Sequence, residues 1–164
     1  MRKHVVTCVG LFLLDAFVLG QGALTAMVAM VMISFGAIDV VRGLLGDKWR
    51  VRLGAQKMAL YAALAASVFA IISASNRLAR SRADQIIAAL DRYKSEHGDY
   101  PTTLEALVPK HMAVVPSAKL TLLGNQFLYH YMPGRGGGFL GYTRFPPFGR
   151  RLYDLEARRW GGLD

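Results

Sequence analysis

The stretch that decides the fold is residues 57–97, which read KMALYAALAASVFAIISASNRLARSRADQIIAALDRYKSEH. Its first part, Met58 to Ser75, contains no charged residue and, at about 1.5 Å per residue, is long enough to cross a bilayer core. From Asn76 onward charged residues appear, while apolar residues keep a helical spacing of three and four. These apolar residues are Ala83, Ile86, Ile87, Leu90 and Tyr93. The pattern predicts one continuous helix, with its first half in lipid and its second half presenting an apolar stripe to a soluble domain that follows Gly98.

Residues 5–41 form another long apolar region. A single helix of this length would be about 55 Å long, nearly twice the thickness of a bilayer core. Residues 20–22, Gly-Gln-Gly, are suited to a turn, so the region is predicted to form two segments, about Val5 to Leu19 and Ala23 to Val41. A cleaved signal peptide is the alternative interpretation, although Asp15 lies within its apolar run.

The positive charges predict how these segments lie in a membrane. Residues 42–57 hold five Lys/Arg against one Asp, and the N-terminus is also basic, so both are expected in the cytoplasm. Three segments then place residues 76–164 in the periplasm, although the arginines within residues 77–82 oppose this orientation. The sequence therefore predicts a multi-pass inner-membrane protein. Its domains are a transmembrane helical hairpin with a cytoplasmic loop (1–57) and a third transmembrane helix that continues into a periplasmic domain (58–164).

Composition supports a membrane protein and argues against a nucleic-acid-binding one. The chain is 53% hydrophobic and only 19% charged, as is typical of a membrane protein with one modest extramembrane domain. Its formal charge is +9, but residues 1–57 contribute seven Lys/Arg against three Asp, beside segments that contact membrane lipid. The remaining thirteen Lys/Arg and eight Asp/Glu are spread along residues 58–164 without a nucleic-acid-binding motif.

The soluble part is predicted to be α+β, with the long helix packed on a small antiparallel sheet. Thr102 and Glu105 form a capping-box pattern that predicts a short second helix ending at Pro109. Residues 119–123 and 126–132 are apolar runs on either side of a Gly-Asn pair, which predicts a β-hairpin with a type II′ turn.

Two further strands are predicted at residues 139–144 and 151–156, with a rigid bend at residues 145–149 between them. Aromatic residues occupy alternate positions within residues 127–131 and so fall on one face of a strand. That face is predicted to pack on the helix stripe.

Residues 86–109, IIAALDRYKSEHGDYPTTLEALVP, resemble a segment of type II secretion pseudopilins and type IV pilin-like proteins. In that family an amphipathic helix ends in a similar Tyr, His-Gly and Tyr-Pro pattern and is followed by a short Leu-rich turn. The ending LYDLEARRW, residues 152–160, is similar to the last strand and turn of such proteins. The resemblance implies a long helix, hydrophobic in its first half, packed across a small antiparallel sheet.

The chain also departs from that family. A pilin is cleaved after a Gly before its hydrophobic helix, and a Glu at the fifth mature position aligns the subunits. Gly54 precedes the segment here, but Met58 to Ser75 contains no Glu, and further apolar segments lie upstream. These differences favour a permanent membrane protein with a pseudopilin-like outer domain, and they leave a processed pseudopilin as an alternative.

Asp15 and Asp39 are the candidate intramembrane polar residues, because carboxylates are costly in lipid. Asp39 lies near Arg42, which favours a paired residue at the interface. Asp15 is either a hydrogen-bonded residue of a helix contact, with Gln21 or Thr25 as partner, or part of a proton or ion path.

No spacing in the chain predicts a catalytic constellation or a cofactor site. His97, His111 and His130 match no metal-binding spacing, so they are predicted to be surface or hydrogen-bonded histidines, with no metal ligand among them.

Arginines and aromatic residues, the types enriched at protein interfaces, cluster late in the chain. The predicted partner-binding residues are Arg144, Phe145, Phe148, Arg150, Arg151, Arg158 and Trp160. The alternative is that the aromatic residues of this region fill the core of a small domain and the arginines are solvated.

The sequence thus favours a non-enzymatic membrane protein whose periplasmic domain binds a protein partner. The partner would be a component of a secretion or pilus machine, or an exported effector that the protein escorts or neutralises. The alternatives are an accessory subunit of a membrane transport or enzyme complex that uses Asp15, and a processed pseudopilin.

Overall fold

The computed structural model describes residues 2–19, 22–46, 48–133, 137–145 and 148–163. The side chains of Arg2, Leu19, Phe145, Phe148 and Leu163 lie outside this description. The chain forms two compact units, Met1–Ser73 and Ala74–Asp164. The helices are α1 (Arg2–Leu13), a π-helical stretch (Leu14–Leu19), α2 (Ala23–Leu44), α3 (Lys48–His97) and a 3-10 helix (Leu104–Leu107). The strands are β1 (Leu128–Tyr131), β2 (Gly138–Phe145), β3 (Phe148–Asp154) and β4 (Arg159–Leu163).

Two of the described helices, α2 and α3, are long and apolar enough to cross a membrane. The predicted segment Val5 to Leu19 is not one of them, because it is divided between α1 and the π-helical stretch. Of the predicted turn at residues 20–22, Gly22 has a left-handed φ of 71°, and the two residues before it lie outside the described part of the chain.

Helix α3 is continuous, as predicted, but it begins earlier than the sequence indicates. The loop predicted over residues 42–57 is wrong, because α2 continues to Leu44 and α3 starts at Lys48. Residues 48–57 are rich in Lys, Arg, Leu, Ala and Gln, which all have good helix propensity, so their charge does not break the helix.

Glycines allow α2 and α3 to approach closely within the first unit. A Cβ added at Gly54 would lie 2.5 Å from the carbonyl oxygen of Gly36 and 2.9 Å from Val40 Cγ2. Small residues at such crossings let helix backbones pack against each other in a membrane. Close helix packing therefore accounts for Gly54, the residue that the pilin pattern would place at a cleavage site.

In the second unit, the predicted apolar stripe of α3 is buried. Ala83, Ile86 and Leu90 are completely buried, and Ile87 and Tyr93 pack against the same core. The rest of that core comes from the 3-10 helix, the sheet and the residues that follow α3. The structure confirms the α+β class, with a long helix packed on a small antiparallel sheet.

The four strands form one antiparallel sheet in the order β1-β2-β3-β4. The predicted strand at residues 139–144 is confirmed as part of β2. The predicted strand at residues 151–156 is shifted, because β3 starts at Phe148, directly opposite Phe145. The aromatic residues of 127–131 pack on the core, as predicted. Pro146 and Pro147 of the predicted bend lie outside the described residues.

The predicted hairpin between residues 119–123 and 126–132 is wrong, because residues 119–123 form no strand and β1 pairs with β2. Local hydrogen bonds take the place of a strand ladder there. Thr121 Oγ1 donates to the carbonyl of Leu123 at 2.8 Å, and the amide of Ala118 donates to the carbonyl of Asn125 at 2.5 Å. Residues 118–125 therefore form a loop whose two ends are joined by a backbone hydrogen bond.

The short helix after α3 and the end of the chain also differ from prediction. The predicted short helix is one turn of 3-10 helix, and its N-cap is Thr103, without a side-chain capping bond, where the capping-box pattern had placed Thr102. Strand β4 follows a tight turn in which Asp154 Oδ1 accepts from the amides of Glu156 and Ala157, at 2.9 and 2.8 Å. Arg158 completes this turn with a φ of 49°.

Candidate functional site on the outer face of the sheet

The sheet has an inner face, which packs on the core, and an outer face. Leu140, Tyr142 and Tyr153 lie on the inner face and are buried. Because side chains alternate along a strand, their neighbours point to the outer face. The outer-face residues are Leu128, His130, Phe139, Gly141, Thr143, Arg150, Leu152, Asp154, Arg159 and Gly161.

The middle of the outer face is apolar and concave. Leu128, Gly141, Leu152 and Gly161 lie opposite one another across the four strands. A Cβ at Gly141 would overlap the side chain of Leu152, so this leucine lies over the glycine. Gly161, on the other side of Leu152, has no side chain to fill the space, and a shallow groove lies there.

Two adjoining cavities follow this groove, with volumes of about 510 and 430 Å³. Both are lined by His130, Phe139 and Leu152, and the ring of His130 stacks on that of Phe139 with centroids 5.6 Å apart. Arg159 and Asp154 border the larger cavity, and Arg150 borders the smaller one.

The charge around the groove is positive. Among the described outer-face residues, Arg150 and Arg159 are exposed, and one carboxylate, Asp154, lies directly opposite Arg159 and accepts two backbone hydrogen bonds in the turn to β4. Arg144 and Arg151 are exposed as well, but alternation along β2 and β3 places them on the other side of the sheet, with Arg151 directly opposite Tyr142. The groove therefore combines an apolar floor with a basic rim.

The structure separates the predicted partner-binding residues. Arg150 borders the groove, whereas Arg144 and Arg151 are exposed on the opposite side of the same two strands. Arg158 is engaged elsewhere, because its guanidinium lies 2.7 Å from the carboxylate of Asp91 on α3. The side chains of Phe145 and Phe148 lie outside the described part of the chain.

Trp160 faces the opposite side of the sheet. Its ring packs against Tyr142 and Tyr153, with centroids 5.9 and 5.3 Å away, and the guanidinium of Arg80 lies 4.0 Å above it. These contacts match the alternative in which the late aromatic residues complete the core. Leu128, Phe139 and Leu152, the apolar floor of the groove, were not singled out by the sequence, although their alternation with inner-face residues is the signal that identifies them.

The motif that carries the pseudopilin resemblance holds β1 to the end of α3. Asp99 accepts hydrogen bonds from the hydroxyl of Tyr131 and from the amide of Tyr100, and Tyr129 donates to the carbonyl of Pro101 at 2.6 Å. The hydrogen bond to Asp99 raises the pKa of Tyr131 to about 12 and lowers that of Asp99. The motif fixes the edge of the sheet and does not form part of the groove.

Asp15 and Asp39 are both bonded within the first unit. Asp15 is completely buried, and its two carboxylate oxygens accept from the amides of Gly22 and Thr25, at 2.9 and 2.7 Å. It therefore caps the first turn of α2, because these amides have no partner within the helix. Asp39 forms a 2.8 Å ion pair with Lys57 of α3, where the sequence had suggested Arg42.

Comparison with known proteins gives no match: no family model fits the chain, and no curated protein or solved structure is similar to it. The class of protein is therefore described by its fold alone. It is an α+β protein with a long helix, apolar in its first half, and a small antiparallel sheet.

Proposed function

We propose that the chain is a non-enzymatic integral membrane protein whose second unit binds a protein partner through the outer face of its sheet. The observation that carries this proposal is the apolar groove along Leu128, Phe139 and Leu152, rimmed by Arg150 and Arg159. Exposed apolar concavities with a polar rim are the usual form of a protein-interaction site.

The chemistry of the groove defines its occupant as an extended segment with apolar side chains and acidic flanks. Apolar side chains would bury Phe139 and Leu152, and acidic ones would pair with Arg150 and Arg159, for which Arg is well suited because of its planar guanidinium. An acidic partner also fits the excess of thirteen Lys/Arg over eight Asp/Glu in residues 58–164.

The first unit supplies the membrane anchor in this proposal. Its helices α1 and α2 form the hairpin, α3 crosses the membrane between Met58 and Ser75, and the basic residues 48–57 remain in the cytoplasm. The second unit is then periplasmic and pseudopilin-like, in the inner membrane of a secretion or pilus system. The partner is a component of that system or an exported effector that the protein escorts or neutralises.

The hydrogen bonds of Asp15 and the close packing of Gly54 favour this proposal over its two alternatives. A carboxylate with both oxygens bound to backbone amides has a capping role that needs no proton or ion path. Gly54 lies inside α3 in close contact with Gly36, so its presence needs no processing site.

The test places a photo-crosslinking amino acid at Arg150 in the protein in its native membrane, with Ser81, an exposed position on α3, as the matched control. We expect Arg150 to crosslink to an acidic, apolar segment of one protein, and Ser81 to give no such product. In a second variant, Arg159→Glu should abolish the crosslink, whereas Lys94→Glu should preserve it. Crosslinks that survive Arg159→Glu, or that form equally from Ser81, would contradict the proposal.

A further inference from the structure

The end of α3 and the segment after the 3-10 helix bring together three side chains that bind metals. Glu96, His97 and His111 each place one potential ligand atom within 4.8 Å of the others. Two imidazoles and one carboxylate form a ligand set that Zn²⁺ commonly takes in proteins. The sequence spacing did not predict this set, because fourteen positions separate His97 from His111 and the fold brings them together.

The separation of the ligand atoms suits one metal ion. His111 Nε2 lies 3.7 Å from Glu96 Oε2, which is too long for a hydrogen bond. Two ligands that are each about 2.0 Å from a tetrahedral zinc ion are about 3.3 Å apart. A movement of a few tenths of an ångström therefore brings these two atoms to ligand distance.

Both histidines are held in place by contacts that leave a ring nitrogen for a metal. The side chain of His111 is only 4% exposed, and its main chain is fixed by hydrogen bonds to Leu107 and Arg92, at 2.8 and 3.1 Å. His97 Nδ1 lies 3.0 Å from the carbonyl of Tyr93. A proton on Nδ1 that donates to this carbonyl leaves the lone pair on Nε2, and this arrangement is the usual outer-shell support of a metal-binding histidine.

We propose that Glu96, His97 and His111 bind a divalent transition-metal ion of the zinc class, with water in the fourth position. The ion would join the last turn of α3 to the segment that follows the 3-10 helix. This site involves none of the groove residues, so it stands independently of the proposed protein-binding face.

Lys110 gives the proposal a specific signature. Its ammonium group lies 2.5 Å from Glu96 Oε2, and its side chain is 67% exposed, so it can swing into solvent when a metal ion takes the carboxylate. Lys110 therefore competes with the metal for Glu96. Removal of this competitor should strengthen metal binding, which an adventitious surface site would not show.

The experiment measures zinc binding by the purified full-length protein in detergent, by equilibrium dialysis and a competing chelator. We expect one Zn²⁺ per chain in a His4→Gln background, which removes the histidine of α1. His97→Gln and Glu96→Gln, both at exposed positions, should weaken the affinity at least about tenfold. Lys110→Met should strengthen it, and His130→Gln, a histidine outside the cluster, should leave it unchanged.

Thermal unfolding gives a second readout. Zn²⁺ should raise the unfolding temperature of the background protein and leave that of the His97→Gln variant unchanged, because an ion that binds only the folded state stabilises it. Equal zinc affinity in the His97→Gln and His130→Gln variants would overturn the proposal. The absence of stoichiometric binding by the background protein would overturn it as well.

Discussion

Lys119 carries its ammonium group into the interior of the second unit. The residue is only 2% exposed, and its Nζ donates to the carbonyl of Arg144 at 2.7 Å, at the end of β2. Burial disfavours the charged form and lowers the pKa of Lys119 from 10.5 to about 8. Lys119 therefore connects the loop before β1 to a central strand, and the protonation state of its amine depends on pH.

This shift predicts how the stability of the second unit changes with pH. Below pH 8 the lysine is protonated in both states, and folding bears the full cost of burying its charge. Between pH 8 and 10.5 the folded state loses the proton and the unfolded state keeps it, so the free energy of unfolding should rise with pH. The slope should be at most about 1.4 kcal/mol per pH unit, because one proton is involved.

The measurement is chemical unfolding of the full-length protein at pH 7, 8 and 9. It is followed by the fluorescence of Trp160 in a Trp49→Phe background. Lys119→Met should lose the rise with pH, whereas Lys94→Met, at an exposed lysine of the same unit, should retain it. Identical slopes in the two variants would contradict the assigned pKa of Lys119.

At the scale of single residues, the sequence could predict polar groups that need a partner but could not name the partner. Asp15 was expected to be hydrogen-bonded, with Thr25 among the candidates, and it bonds to the backbone of that residue. Glu96 and His111 lacked any local signal, because ligand geometry across a loop is set by tertiary packing.

At the scale of elements, the contact between α2 and α3 depends on the absence of side chains at Gly36 and Gly54. Gly54→Ala would place a methyl group 2.5 Å from the carbonyl oxygen of Gly36, so the helices would have to separate. We expect the free energy of unfolding to fall by about 1–3 kcal/mol, which is the usual cost of overpacking. Thermal unfolding of the protein in detergent measures this effect.

Gly10→Ala is the matched control, because a Cβ at Gly10 of α1 meets no atom within 4 Å. Ala also has a higher helix propensity than Gly, so this variant should be neutral or slightly stabilising. If the two variants unfolded at the same temperature, the close contact of α2 and α3 would be refuted.

The elements that the sequence predicted well have local, periodic signals. The stripe of α3 and strand β2 follow helical and alternating patterns over many residues, and both are confirmed. The hairpin at residues 119–132 failed because the propensity of an apolar run does not reveal its hydrogen-bond partner. Strand β4 was missed because it contains Gly161 and Gly162, which are poor strand formers.

At the scale of the whole molecule, the chain has a helical unit and a unit that contains the four-stranded sheet, for whose outer face we propose a protein partner. The outer face of the sheet could be deduced from alternation once the strands were known, but its groove depends on Gly161 lying beside Leu152 on the neighbouring strand. Such cross-strand neighbours are long-range contacts that no local pattern specifies. The location of this face in the cell decides which partners it can meet.

The most direct test of the central claim is therefore the membrane topology of the full-length protein. In a Cys8→Ser background, single cysteines at Ser81 on α3 and at Gly46 between α2 and α3 are exposed to a membrane-impermeant maleimide added to intact spheroplasts. Gly46→Cys preserves every basic residue of the segment and meets no atom within 4 Å. With residues 76–164 in the periplasm, Ser81→Cys should be labelled in intact spheroplasts and Gly46→Cys only after the membrane is permeabilised. Labelling in the opposite order, or equal labelling of both positions before permeabilisation, would contradict it.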